Sequence, residues 1–408
     1  MSRTTLVAVL ATTALLASTA TAVAEPENPA WVATSTSTPY QVTPPTAPEV
    51  FPQARTAAAD DVTASDFKTE CQGRSEARTM FGWAKSRFEQ CFAGHRKVEL
   101  KVSPGAPTTI ASVEFDYTVL AFAYDGDRRV DYTVLLDNYR TLGGQERNIA
   151  ELVIGFGGCG ASTDLNCSPA PLQKRATLEG WKLDQTFTGT LTSPAEAGSG
   201  PYKLVHATMA LNLAVESNLP DVDSWYDEGA GFSRVRFDSA GATAGKFRGT
   251  VFTDHVPTYD LMAIAQAKNR VGEIAESARH IDDALHHSER TFPSFLGKNI
   301  PGGSFDRPLH RLADESLIDS NRTYAGRVCK DVWGVDYEPA KYNCDEYPFA
   351  STREGAYTST NNGTQAWHGS SRPIEGDDNK LSGTWMNSDF YKVHRVLDGD
   401  PFVVKMNL

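Results

Sequence analysis

The chain has 408 residues, a formal net charge of −12 and 40% hydrophobic residues. That length is ample for a buried core and suits about two domains with accessory segments. The acidic balance favours solubility and argues against a broad basic groove that would track a nucleic-acid backbone.

Residues 1–24 carry one early cation, Arg3, an apolar run from Leu6 to Leu16, and small residues ending in Ala22-Val23-Ala24. This is the pattern of a secretory signal peptide. The run is too short and too rich in threonine to span a bilayer. The chain is therefore expected to be a secreted, extracellular protein without stable membrane association. Six cysteines suit an oxidising compartment: Cys71, Cys91, Cys159, Cys167, Cys329 and Cys344. Six thiols allow fifteen pairings. Proximity in sequence favours 71 with 91, 159 with 167, and 329 with 344.

Residues 25–65 are rich in Pro, Thr, Ala and Ser and read as an extended linker or pro-segment. Phe81, Trp83, Ala84, Phe88 and Phe92 then fall at roughly helical spacing, predicting a helix over residues 75–92 whose ends Cys71 and Cys91 would fasten. From about Glu99 to Phe252 the pattern turns to alternation. Residues 111–119 and 130–135 flank Asp125-Gly126-Asp127 as two strands around a turn. Further strands are expected over 186–191, 202–215, 233–237 and 249–253. Short strands with glycine-rich turns imply an antiparallel sandwich or barrel-like domain over 66–255, with no catalytic constellation in it. Gly155-Phe156-Gly157-Gly158-Cys159-Gly160 lacks the Lys-Ser/Thr ending of a phosphate loop and reads as a turn beside a disulfide.

An apolar face over Leu261, Ile264, Val271, Ile274, Ala278, Ile281 and Leu285 predicts one helix across residues 259–287. It would open a C-terminal domain, 256–408. Six of the nine histidines lie after residue 270, yet no pair has readable zinc spacing. His280 is expected to pack rather than to catalyse.

The chemistry-bearing stretch is Cys344-Asp345-Glu346-Tyr347-Pro348-Phe349-Ala350, followed by Arg353-Glu354-Gly355-Ala356 and then Asp377-Asp378-Asn379-Lys380. On a strand Asp345 and Glu346 point to opposite faces, so one would act and the other support it. A second strand near residues 365–368 and a short helix over 379–391, N-capped by Asp377 or Asp378, would complete a strand-strand-helix unit. That unit could set a general base and a metal ligand on either side of one phosphodiester. On composition alone, solvated carboxylates and a plain helix cap are the commoner meaning of such residues.

The order of the pieces is more specific. His280-Ile281-Asp282-Asp283-Ala284, Leu309-His310-Arg311, Asn321-Arg322, Tyr342-Asn343 with the Asp-Glu-Tyr-Pro motif, Arg353-Glu354-Gly355, Asp378-Asn379, Arg395-Val396-Leu397 and Phe402-Val403-Val404 resemble the NucA/NucB family of secreted bacterial deoxyribonucleases. The resemblance covers about residues 270–408 and leaves out the β-rich middle. It implies an α+β protein whose C-terminal domain is ββα-metal nuclease-like, cutting DNA without marked sequence preference. It also implies Asp345 as general base, Glu346 as its supplement, and Asn379 as ligand of a divalent cation, Mg²⁺ or Mn²⁺. The sequence departs from the family where Glu-Gly-Gly is common, here Glu354-Gly355-Ala356. It departs again in the Gly-rich segment, here residues 381–389, where Asn387 and Asp389 stand as candidates for further ligands. The alternative is a secreted binding module, its β domain recognising polysaccharide or protein and its nuclease-like part inactive. The intact Asp345-Glu346 and Asn379 favour the enzyme. A fragment of about residues 258–408 is expected to fold and act alone, since every motif lies inside it.

Overall fold

The structure, a computed structural model, describes residues 28–35, 61–102, 108–158, 168–170, 173–335 and 341–408. The expected signal peptide and the Cys159–Cys167 pair lie outside those residues. The protein is mixed α and β, with a β-rich N-terminal region followed by a region that carries most of the helices.

Chain order in the first region is β1 (Ala30–Ser35), α1 (Asp61–Gly73), β2 (Trp83–Ala84), β3 (Glu89–Lys101), β4 (Thr109–Ala123), β5 (Arg129–Gly143), α2 (Glu146–Ile149) and β6 (Glu151–Gly157). There follow β7 (Ser168–Ala170), β8 (Gln173–Thr177), β9 (Thr186–Thr192), β10 (Val205–Glu216), β11 (Trp225–Asp238) and β12 (Gly249–Phe252). One sheet runs β1-β3-β4-β5-β9-β7 with β2 beside β3, and a second runs β12-β11-β10-β6-β8. β4, β5 and β9 to β12 fall where strands were expected, and in β5, β9 and β10 the alternation follows from one buried face. The inward residues of both sheets form one core, among them Phe115, Val134, Phe156, Leu211 and Phe237. Tyr132 of one sheet donates its hydroxyl to Ser233 of the other at 3.2 Å. The β4–β5 hairpin turns where Asp125-Gly126-Asp127 was read, with Gly126 at φ 109°.

Three expectations change here. The stretch read as a linker contributes β1, which pairs antiparallel with β3 and buries Trp31. Residues 75–92 do not form a helix: a single 3₁₀ turn at Glu76–Arg78 is followed by β2 and β3. Side chains four apart share a face in a strand as well as in a helix, so Phe88 and Phe92 both reach the sandwich core. Cys71 and Cys91 are bridged, but they join α1 to β3. Thirdly, Gly155, Phe156 and Gly157 of the glycine-rich run are strand residues of β6.

The second region comprises β13 (Thr258–Asp260), α3 (Leu261–Ala267), α4 (Ala275–His286), β14 (Leu309–His310), α5 (Glu315–Trp333), β15 (Tyr342–Tyr347), β16 (Ser370–Glu375), α6 (Gly376–Trp385) and β17 (Pro401–Lys405). The helix expected over 259–287 is broken between α3 and α4, where Asn269 takes φ 56°. Most of its apolar positions are nonetheless buried together: Leu261, Ile264, Ile274, Ala278 and Ile281 share a core with Phe390 and Phe402, whereas Val271 at the break is exposed. β17 lies between β13, to which it runs parallel, and β14. β15 and β16 pair antiparallel in unbroken register, and α6 follows β16 directly. Among the described residues no helix is long and apolar enough to cross a membrane.

The two regions are joined through buried charge. The Arg395 side chain is fully buried and bonds Asp125 and Asp238 of the sandwich, and also the Lys246 carbonyl at 3.1 Å. Gly249 lies against that guanidinium, where a Cβ would come within 2.3 Å of Nε. Asp400 receives Arg87 at 2.9 Å and Arg236 at 2.5 Å. Burial alone would push the Asp400 carboxyl up, but those two arginines hold it at about 2. The sequence-based expectation of a self-sufficient C-terminal fragment did not include these partners.

Candidate functional site

Strand alternation does what the sequence required of Asp345 and Glu346. β15 is regular, so the two side chains leave on opposite faces. Asp345 faces α4, where its Oδ2 lies 2.7 Å from His280 Nδ1. The His280 ring is completely buried, and its Nε2 lies 2.7 Å from Ser370 Oγ on β16. Asp345 itself keeps 15% of its side chain exposed. Directly across the strand pair is Arg372, whose guanidinium reaches Asp283 of α4 at 2.7 Å. Arg290 approaches the same Asp283 at 3.7 Å.

Glu346 leaves toward α5, which the Cys329–Cys344 disulfide ties to this strand. Burial pushes its carboxyl up to about 8, and the neighbouring Asp345 charge adds to that; Arg322 and the Ala350 amide pull the other way. Opposite it, the Ser371 hydroxyl is buried and has no hydrogen-bond partner among the described residues.

α6 supplies the next groups. Its N-cap is Glu375, which accepts from the Asp377 and Asp378 amides at 3.0 and 2.9 Å. The expected capping by Asp377 or Asp378 is thus replaced, because the helix begins earlier than the sequence suggested. Asp378 caps a different helix: it accepts from the Glu276 amide at 2.7 Å and from the Ser277 amide and hydroxyl at the start of α4. Burial raises the Asp378 carboxyl, while those bonds to Ser277 and Glu276 oppose the shift. Asn379 sits on the first turn, with its amide nitrogen 3.5 Å from the Cys344 carbonyl. Beyond Trp385 the helix widens into a π-turn, Met386–Tyr391. Asn387 is exposed on it, and Asp389 pairs with Lys268 at 2.5 Å. Asp345 and Asp389 both add charge near the buried Tyr259 phenol, which burial already raises.

Three other motif residues, Asn321, Gly355 and Glu354, have structural contacts. Asn321 is buried in α5 and binds the Ala350 carbonyl and the Tyr357 and Thr358 amides, shaping the loop after β15. Gly355 must lack a Cβ, which would come within 2.3 Å of the Asn321 amide. Glu354 is held by the His310 amide and ring, both at 2.8 Å.

A hard divalent cation is the group such a site would take. Among the described residues no three or more His, Cys, Asp or Glu side chains are grouped to enclose a metal. The donors near Asp345 are oxygens, its own second carboxylate oxygen and the Asn379 amide; Asp389 lies ten residues further along the helix, about 15 Å of rise, where it pairs with Lys268. Such a sparse, hard set suits a cation that keeps most of its water, as Mg²⁺ does, and not zinc.

Sequence reasoning found Asp345 and Asn379 but not their supports. Ser370 and Ser277 carry no motif, Asp283 entered only as part of the 280–284 stretch, and the partners of all three lie roughly 90 to 100 residues away.

The acid–imidazole–hydroxyl chain Asp345–His280–Ser370 thus links the two-stranded sheet to α4, beside a helix that bears amide and carboxylate oxygens. Residues 306–405 match the family model described as Deoxyribonuclease NucA/NucB, so the C-terminal region carries a domain of that family. No curated protein and no solved structure matches the chain.

Proposed function

We propose that this protein is a secreted endonuclease that hydrolyses phosphodiester bonds of extracellular DNA with little sequence preference, assisted by Mg²⁺ or Mn²⁺. The proposal further reads β15, β16 and α6 as a ββα-metal unit. One observation carries it: Asp345, inside the stretch matching a deoxyribonuclease family, is a partly exposed carboxylate held by a buried imidazole and set beside α6. Asp345 would take the proton from the attacking water through the oxygen that His280 leaves free. Asn379, on the first turn of α6, would hold the cation. When bound, the cation supplies charge neutralisation of the phosphate and stabilisation of the leaving oxygen. Arg372, across from Asp345, offers a guanidinium to the phosphate from the other strand. Glu346 shapes the field of the site from the opposite face. The disulfides and the sequence of residues 1–24 support export.

The test is digestion of supercoiled plasmid with Mg²⁺ or Mn²⁺, with and without chelator, by wild type and Asp345→Ala. Cleavage that needs the cation and disappears with Asp345→Ala is expected. Cleavage that persists in excess chelator would refute metal assistance, and near-normal cutting by the variant would refute the base.

A further inference from the structure

We infer that His280 is a positioning residue for the hydrolytic step. The inference rests on the assignment of Asp345 as base but assigns a group outside the residues 306–405 that match the nuclease family. A histidine that only fills a core space needs no particular partner, and a leucine would serve there. His280 has partners on both nitrogens, each at 2.7 Å, with no exposure to water. An ionised carboxylate only accepts hydrogen bonds. Nδ1 therefore carries a proton and donates to Asp345, while Nε2 is hydrogen-bonded to the Ser370 hydroxyl. Asp345 thus sets the proton on Nδ1, and Ser370 holds the ring at its other nitrogen.

The consequence is geometric. Asp345 Oδ2 is occupied and the carboxylate cannot turn, so the other oxygen is fixed as the one that meets water. α4, which carries His280, is held in turn from α6: Asp378 binds the Glu276 and Ser277 amides at its start. Asn379, the next residue, reaches back to the Cys344 carbonyl beside Asp345. Strand, helix and helix thus close a ring of polar contacts, β15 to α4 to α6 to β15. The proposed base and the proposed cation ligand sit at adjoining links of it. Positioning of this kind acts on the reacting geometry and not on the grip on DNA.

Four variants of the full-length protein test this: His280→Leu, which fills the space without a donor; His280→Asn, which restores a donor near Nδ1; Ser370→Ala; and Asp345→Asn. Each is assayed with Mg²⁺ on plasmid DNA, with a melting curve as the folding control. Expected for His280→Leu is a fall in kcat of roughly 10- to 100-fold with KM within about twofold. His280→Asn should recover most of that loss, and Ser370→Ala should lose severalfold. If His280→Leu does not fold, His280→Asn and Ser370→Ala decide: in that case kcat reduced in Ser370→Ala and largely kept in His280→Asn supports the inference. Full kcat in Ser370→Ala and in whichever His280 variants fold, with Asp345→Asn inactive, overturns the inference alone. A loss confined to KM also overturns it. Wild-type activity in Asp345→Asn removes the base and the inference together.

Discussion

Replacing Arg395 by Met should destabilise the whole protein far more than a typical substitution. Its side chain, like that of Asp238, has no exposed surface, and Asp125 keeps only 10%. Methionine fills much of the same space but leaves Asp238 without its close cation. Arg236 remains only at 3.6 Å, already shared with Asp400. Removing one partner of a buried ion pair costs about 3–5 kcal/mol, because the stranded charge stays desolvated. Set against a total stability of roughly 5–15 kcal/mol, that is a large fraction. Asp238→Asn in the Arg395→Met background should return part of the loss, since the stranded charge is gone, giving a coupling of about 1–3 kcal/mol. Urea unfolding of the single and double variants measures it, with an unchanged slope as the check on two-state behaviour. A loss below about 1 kcal/mol, or strict additivity in the double variant, would refute the account of the junction. The same reasoning revises the expectation for a fragment of residues 258–408. Cut from the sandwich, it places Arg395 and Asp400 in a surface that lacks their partners, and it should melt well below the full chain.

The other predictions concern the site and its pH range. Glu346→Gln should raise the melting temperature at pH 8 and leave it nearly unchanged at pH 4, by circular dichroism. The folded protein holds this carboxyl's proton up to about 8, whereas the unfolded chain releases it near 4.5. The contribution is therefore complete below pH 4.5 and lost as pH rises to 8; the glutamine removes about 2–4 kcal/mol of that loss. Acid should weaken the junction of the two regions from about pH 6.5 downward. Burial, helped by Arg87 and His255, pushes the His394 imidazole down to about 3, so it stays neutral while the unfolded chain gains a proton. The stability that Asp400 contributes is present above its ordinary value of 3.8 and goes as pH falls to about 2. Melting temperature against pH, with His394→Phe flattening the upper part of the fall, checks both. Opening the Cys329–Cys344 bridge, which spans 15 residues, should cost roughly 3 kcal/mol in unfolding measurements.

The sandwich strands were legible because alternation survives wherever one face is buried, as in β9 and β10. The Asp345–Glu346 division of faces needed only the two-residue period of a strand. What could not be read was how remote polar groups combine. Arg395, Asp125 and Asp238 look like surface charges in any local window, because burial of charge depends on a partner, here 270 residues away for Asp125. Asp378 looked like the cap of its own helix and caps another. The helix over 75–92 failed because four-residue spacing fits both regular structures when neighbours are aromatic. The break at Asn269 carried a weak signal, an asparagine able to take a left-handed backbone, which the apolar face on either side outweighed.

The position of β17 gives the order of synthesis a structural meaning. A ribosome delivers every strand of the sandwich, then β13 and β14, before the one strand that lies between those last two. Until it arrives, the Tyr259 and Leu309 backbones have no pairing partner, and Arg87 and Arg236 have no Asp400. A chain halted at residue 398 can thus hold a finished N-terminal sandwich while its remaining third stays open at the seam. Products that stop before β17 should be protease-sensitive over that third, because the seam between β13 and β14 closes only when Pro401–Lys405 have been made.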